Sequence, residues 1–186
     1  IGTLGVLTNK FKTKTANTTI DPINIHKVLK KLKNLKIDNV ILEASSHGLK
    51  QHRLNGIKFK TALFTNLSRD HLDYHKTFKD YLNSKLILFN KLLERGGNII
   101  FDDNAAQAKK LSNISKKRKL KKYNFGQNSF IRIIDIQKLN DQKKVFFSIN
   151  NKQYSFKTSL IGKIQIKNLI FAIVAAYLSK IKVKNI

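Results

Sequence analysis

Three short apolar runs, Val40-Ile-Leu42, Ala62-Leu-Phe64 and Asn98-Ile-Ile-Phe101, punctuate the first half of the chain, with helix-patterned stretches between them. Runs this brief that are apolar on both faces suit strands buried in a parallel sheet. Asp21-Pro22 starts the first helix, since Asp is a favoured N-cap and Pro fits the first helical position. Ile25, Val28, Leu29, Leu32 and Leu35 then follow helical spacing. A long helix is expected from Thr77, with Asp80 as its capping-box partner. A shorter one is expected over 105–111, beyond a break at Gly96-Gly97. Strands alternating with helices argue for a parallel α/β sheet flanked by helices.

The texture changes after Lys122. Segments 130–136 and 145–149 alternate, and Asn150-Asn151 offers a hairpin turn into 153–158. A last amphipathic helix over 166–179 turns Leu169, Ile170, Ile173, Val174 and Tyr177 to the core. The expected fold class is mixed α/β in one domain, mainly parallel, with an antiparallel extension in its C-terminal part.

At 186 residues, 41% hydrophobic with 12 Phe and 5 Tyr, the chain can bury a real core. No apolar run approaches the roughly 18 residues of a membrane span, and residues 1–20 lack the form of a signal peptide. There is no Cys, hence no disulfide and no thiolate metal site, which fits a cytoplasmic setting. There is also no Met, and Ile1-Gly-Thr-Leu-Gly5 reads as a strand and turn, as in an internal fragment.

The net charge of +26, from 37 Lys+Arg against 11 Asp+Glu, first suggests nucleic acid. Only Arg53, Arg69, Arg95, Arg118 and Arg132 are arginines, however, and Arg is the residue suited to bidentate base reading. The lysines are spread over every segment among many Ile and Asn, which indicates compositional bias rather than a binding device. The densest run, Lys116-Lys-Arg-Lys-Leu-Lys-Lys122, reads as a solvated helix end and loop.

Chemistry concentrates around the first two runs. Glu43 ends one of them, and ligands of open α/β sheets gather beyond the carboxyl ends of strands. A carboxylate there suits Mg²⁺, which takes oxygen ligands, although a strand-end Glu can equally sit in water beside a lysine. His71 follows the next strand, flanked by Asp70 and Asp73, so adjacent strands would bring Glu43 and His71 to one edge. His26, His47, His52 and His75 read as ordinary loop or capping histidines. Thr15-Ala-Asn-Thr-Thr19, Ser45, Gln51 and Arg53 supply hydrogen-bonding groups and one fixed cation suited to carboxylate or phosphate.

Lys85 stands out from the other lysines. At 3.6 residues per turn, Phe78, Tyr81, Leu82, Leu86, Phe89, Leu92 and Leu93 make one apolar arc, and Lys85 falls in its middle. A cation there must find a partner, snorkel outward, or lose its proton on burial. The neutral amine is the form that adds carbon dioxide to give a carbamate. No G-x-x-x-x-G-K-[ST] loop occurs, so a phosphate cradle would lie outside this chain.

Ile1-Gly-Thr-Leu-Gly5, Thr15-Ala-Asn-Thr-Thr19, Glu43-Ala-Ser-Ser-His-Gly-Leu49, Gln51-His-Arg53, Thr65-Asn-Leu-Ser-Arg-Asp-His-Leu-Asp-Tyr-His75, the Lys85 helix and Gly162…Asn168 together resemble the Mur ligase family. Glu43 to Arg53 is the most specific stretch and points to the UDP-N-acetylmuramoyl-tripeptide synthetase branch, because sister ligases differ after the corresponding Glu. The resemblance implies a phosphate-loop-type central ATPase domain over 1–186 without its phosphate loop, the UDP-binding and C-terminal domains lying outside the chain. It implies that Asn17, Thr18, Thr19, Ser45, Gln51 and Arg53 hold UDP-N-acetylmuramoyl-L-alanyl-D-glutamate. It further implies that Glu43 and His71 bind Mg²⁺, and that Lys85 is the carbamylated lysine, a third metal-site group. The implied reaction is ATP-dependent: the D-Glu carboxylate becomes an acyl phosphate, and the amine of a diamino acid, meso-diaminopimelate foremost, displaces phosphate during peptidoglycan synthesis. A cytoplasmic monomer without nucleic-acid or membrane partners is expected, with the fragment alone inactive.

The sequence departs from the family pattern where Ile100-Phe101 precede Asp102-Asp103 in place of the usual Asn, and where Ile164-Gln165 replace Phe-Asn. Rival readings are a folylpolyglutamate synthetase (FPGS)-like ligase, which Ser45-Ser-His-Gly48 opposes, a basic nucleic-acid-binding domain, and a decayed gene fragment.

Overall fold

The structure, a computed structural model, describes residues 1–68 and 73–181. The chain gathers into two compact units, one of Ile1–Phe59 with Leu67–Glu94, the other of Lys60–Asn66 with the chain from Arg95 onward.

The first unit contains a minimal antiparallel ladder, β1 (Val6–Leu7) with β2 (Lys12–Thr13). Helix α1 (Pro22–Asn34) forms where Asp21 and Pro22 predict it, and Asp21 Oδ1 accepts the Asn24 N–H at 3.0 Å. Helix α2 (Ser46–Lys50) is a short turn capped by Ser45. Thr77 caps α3 (Phe78–Ile87), which passes into a π-helical turn at Leu88–Leu92. Only half of the expected capping box forms: Thr77 accepts the Asp80 N–H at 3.1 Å, but the Asp80 carboxylate turns to Lys50 Nζ at 2.5 Å. A cation outcompetes a neutral amide for a carboxylate. Val6, Ile20, Ile25, Leu49, Leu54 and Leu92 make this unit's buried cluster.

The segment Val40-Ile-Leu42 is not a sheet strand, contrary to expectation. Its neighbourhood pairs with one residue, through Ile1 N to Ile41 O at 2.9 Å and Glu43 N to Ile1 O at 3.0 Å. Two bonds do not make a ladder, and Ile41 remains 81% exposed.

The second unit is built on a six-stranded sheet ordered β3-β4-β5-β6-β7-β8. These are β3 (Phe59–Phe64), β4 (Leu93–Asp102), β5 (Lys121–Phe125), β6 (Ile131–Leu139), β7 (Gln142–Ile149) and β8 (Lys152–Thr158). The pairs β4–β5 and β5–β6 are parallel, while β6–β7 and β7–β8 are antiparallel. The sheet is therefore mixed α/β with the C-terminal antiparallel extension read from the sequence. Asn150 and Asn151, at φ 49° and 63°, make the β7–β8 turn, the double left-handed geometry that matches strand twist.

Strand β4 runs through Gly96-Gly97 instead of starting after it. Helix α4 (Ala108–Arg118) starts later than expected, and the basic run is divided between its last turn, the left-handed Lys119 and β5. Helix α5 (Lys163–Leu178) buries Ile166, Ile170, Phe171, Ile173 and Val174 against Ile100, Ile131, Val145, Phe147 and Ile149. Tyr177 stays exposed at 36%. Lys167 Nζ meets Asp102 Oδ2 at 2.7 Å, with side chains 19% and 11% exposed. No helix among the described residues is long and apolar enough to cross a membrane.

Candidate functional site

A cavity of about 500 Å³ opens within the first unit, lined by Thr3, Asn17, Thr18, Thr19, Glu43, Ser45, His47 and Arg53. Its walls come from loops and the start of α2 rather than from strand ends. Glu43 is therefore not delivered by a sheet strand. Instead Thr3 holds it: Glu43 Oε2 accepts the Thr3 N–H at 2.6 Å and the Thr3 hydroxyl at 2.8 Å. Thr3 Oγ1 also lies 3.1 Å from Thr18 Oγ1. A Cβ on Gly2 would collide with the Glu43 carboxylate, so only glycine lets the acid lie there.

Thr19, 1% exposed, fastens the opposite wall. Its hydroxyl donates to the Glu43 carbonyl at 2.9 Å and accepts the Ser45 N–H at 2.9 Å, while Ser45 Oγ accepts the Gly48 N–H at 3.1 Å. Arg53 Nη1 donates to the Thr19 carbonyl at 2.8 Å, and its Nε to Gln51 Oε1 at 2.8 Å. Among the described residues no carboxylate pairs with this guanidinium, which faces the cavity as a preset cation.

Asn17, Thr18, Thr19, Glu43, Ser45 and Arg53, all singled out from the sequence, thus share one cavity. Gln51 stands behind it, accepting from Arg53 and donating from Nε2 to Tyr74 OH at 3.1 Å. Lys85 is part-buried on α3 and does not line the cavity; its Nζ sits 5.3 Å from the Tyr81 ring centre. The predicted arc around it is buried at Tyr81, Leu82, Leu86 and Phe89, whereas Phe78 is 40% exposed. His71 lies outside the described residues. Among those described, no group of His, Cys, Asp and Glu is placed to hold a metal ion. Glu43 with the hydroxyls of Thr3 and Thr18 does give the hard oxygen donors that Mg²⁺ prefers.

Two lining residues escaped the sequence reading. Thr3 belongs to a quoted motif, but its role depends on Glu43 folding back over Gly2. His47 was set among ordinary histidines; its ring lies 4.0 Å from that of Tyr74. His75 was too, yet it is completely buried, with Nε2 2.9 Å from Ser46 Oγ and Nδ1 3.5 Å from Asp80 Oδ2. Lys50, with His75 adding to it, holds the Asp80 carboxyl below the usual carboxylate range.

Comparison with known proteins identifies the family of the chain. The Mur ligase middle domain family model matches residues 1–176. A UDP-N-acetylmuramoyl-L-alanyl-D-glutamate–2,6-diaminopimelate ligase of Rickettsia bellii is 36% identical over 176 residues, 92% of this chain and 37% of that protein. A solved structure of a ligase of the same name superposes with a TM-score of 0.86 at 26% identity, over 98% of this chain and 38% of the other. An FPGS–AMPPCP complex shares the fold alone, at a TM-score of 0.57 and 12% identity over 87% of this chain and 46% of the other. The chain thus spans little more than a third of the ligases it matches. With the family model covering nearly its whole length, the chain belongs to the Mur ligase middle domain family.

Proposed function

We propose that residues 1–186 are the central domain of an ATP-dependent ligase that adds meso-diaminopimelate to UDP-N-acetylmuramoyl-L-alanyl-D-glutamate in cytoplasmic peptidoglycan synthesis, working as a monomer. The observation that carries this reading is the cavity, where Asn17, Thr18, Thr19, Ser45 and Arg53 converge with Glu43. Arg53, fixed by Thr19 and Gln51, presents its charge to the acidic dipeptide without losing freedom on binding. The hydroxyls and the Asn17 amide supply directional bonds to a polar substrate.

The D-Glu carboxylate attacks the γ-phosphorus of ATP, giving an acyl phosphate and ADP. The diamino acid's amine then attacks the acyl carbon, phosphate leaves, and the amine proton passes to solvent. Glu43, His71 and carbamylated Lys85 would hold Mg²⁺, which when bound offsets the negative charge gathered between carboxylate and nucleotide. Thr3 keeps the Glu43 carboxylate aimed into the cavity. The main phosphate cradle is expected outside residues 1–186.

The test is ADP release by the intact protein with Mg²⁺, the muramoyl dipeptide, and diaminopimelate or L-lysine in parallel. Release requiring both the dipeptide and diaminopimelate supports the reading, whereas a preference for lysine corrects the substrate. No release under any combination removes it. Lys85→Ala should abolish ligation while leaving the melting temperature in place, and full activity in that variant would rule out the carbamate.

A further inference from the structure

Ser46 stands between two cavity-lining residues, Ser45 and His47, yet is itself 3% exposed and does not line that cavity. Its Oγ meets Nε2 of buried His75 at 2.9 Å. The His75 ring is stacked on Tyr81 at 5.0 Å and set edge-on to Tyr74 at 4.9 Å, so it has one orientation. Its Nδ1 faces Asp80 Oδ2 at 3.5 Å, and the same oxygen takes Lys50 Nζ at 2.5 Å.

Serine, histidine and carboxylate in file have the order of a nucleophilic triad. Burial argues against that use, because no substrate carbonyl can approach a hydroxyl sealed from solvent. What the file does is mechanical. Ser46 is the first residue of α2 and Lys50 its last. The helix is therefore held at both ends from outside, at Lys50 by the Asp80 carboxylate and at Ser46 by His75, whose Nδ1 approaches the same carboxylate without a hydrogen bond to it. A helix of five residues has no stability of its own, since nucleation is unfavourable and few bonds offset it. Its position must come from outside.

We propose that Asp80 and His75 are positioning residues for the substrate cavity. By fixing Ser46 they set the Ser45 hydroxyl and the His47 ring on the wall that receives the dipeptide. Tyr74, whose ring lies tilted against that of His47 and whose hydroxyl accepts from Gln51, ties the same cluster to the partner of Arg53. The proposal rests on the ligase reading above.

The test uses the intact protein and separates dipeptide KM from ATP KM and kcat. Ser46→Ala and His75→Leu should each raise dipeptide KM about tenfold, the equivalent of one hydrogen bond, with ATP KM unchanged. His75→Gln, which can place an amide N–H near the Nε2 position, should restore most of the loss. Ser46→Ala with His75→Leu should be no worse than the poorer single variant, since both remove one interaction. A lowered melting temperature with dipeptide KM unmoved would make the file purely structural and overturn the proposal; should His75→Leu fail to fold, Ser46→Ala and His75→Gln decide. Wild-type ADP release that ignores the dipeptide would sink the ligase reading and this proposal with it. Dipeptide-dependent wild type beside unaffected variants sinks the proposal alone.

Discussion

The two compact units hold themselves together by different means. In the second, β6, β7 and β8 pair over long registers, and α5 closes a core of Ile, Val and Phe side chains against the sheet. In the first, the only ladder among the described residues joins two-residue strands, and cavity loops are fixed one bond at a time by Thr3, Thr19, Ser45 and Arg53. Apolar packing is non-directional and tolerant, whereas a polar clamp fails when one atom is lost. The candidate chemistry lies where the fold is most directional and least redundant.

That contrast can be broken experimentally. Phe171→Ala, in the apolar core, should cost about 3–5 kcal/mol, measured by denaturant unfolding, and a cost under 1 kcal/mol would show the second unit to be as loosely built as the first. Gly48→Ala comes next: its new methyl would lie 2.6 Å from Thr19 Cβ, an overpacking worth about 1–3 kcal/mol. Dipeptide binding should fall more than stability, because Thr19 anchors Ser45 and Arg53 together. Thr77→Ala, which removes the α3 cap, should lower stability by about 1 kcal/mol, read as a shift in the urea midpoint. The smallest effect is one of acidity. Asp80 titrates below its unfolded value of about 3.9, so its contribution is present above that pH and fades as pH falls through the folded value. Asp80→Asn should flatten this acid limb, and an unchanged limb would remove Asp80 as its source.

What the sequence disclosed follows the same division. Helix α1 and the Thr77 cap were legible because their signals are local, and the Asn150-Asn151 hairpin because left-handed turn residues name themselves. Val40-Ile-Leu42 misled because an apolar run only becomes a strand where a neighbour offers a ladder. Gly96-Gly97 misled in the opposite sense, since pairing through β4 overrides weak strand propensity. In the site, residue types made Glu43, Ser45 and Arg53 candidates without singling them out, the family resemblance gave them a role, and the structure places them around one cavity. His75 was not legible, because its burial and its bond to Ser46 exist only once α2 and α3 pack.

The ion pair of Lys167 with Asp102 has a consequence for mutagenesis. Replacing either residue alone would leave a charge stranded in a poorly hydrated place, a change more damaging than losing both. A double replacement of Asp102 and Lys167 should therefore be milder than either single one. Two residues 65 positions apart in the chain thus act as one unit, and neither can be judged by its own replacement alone.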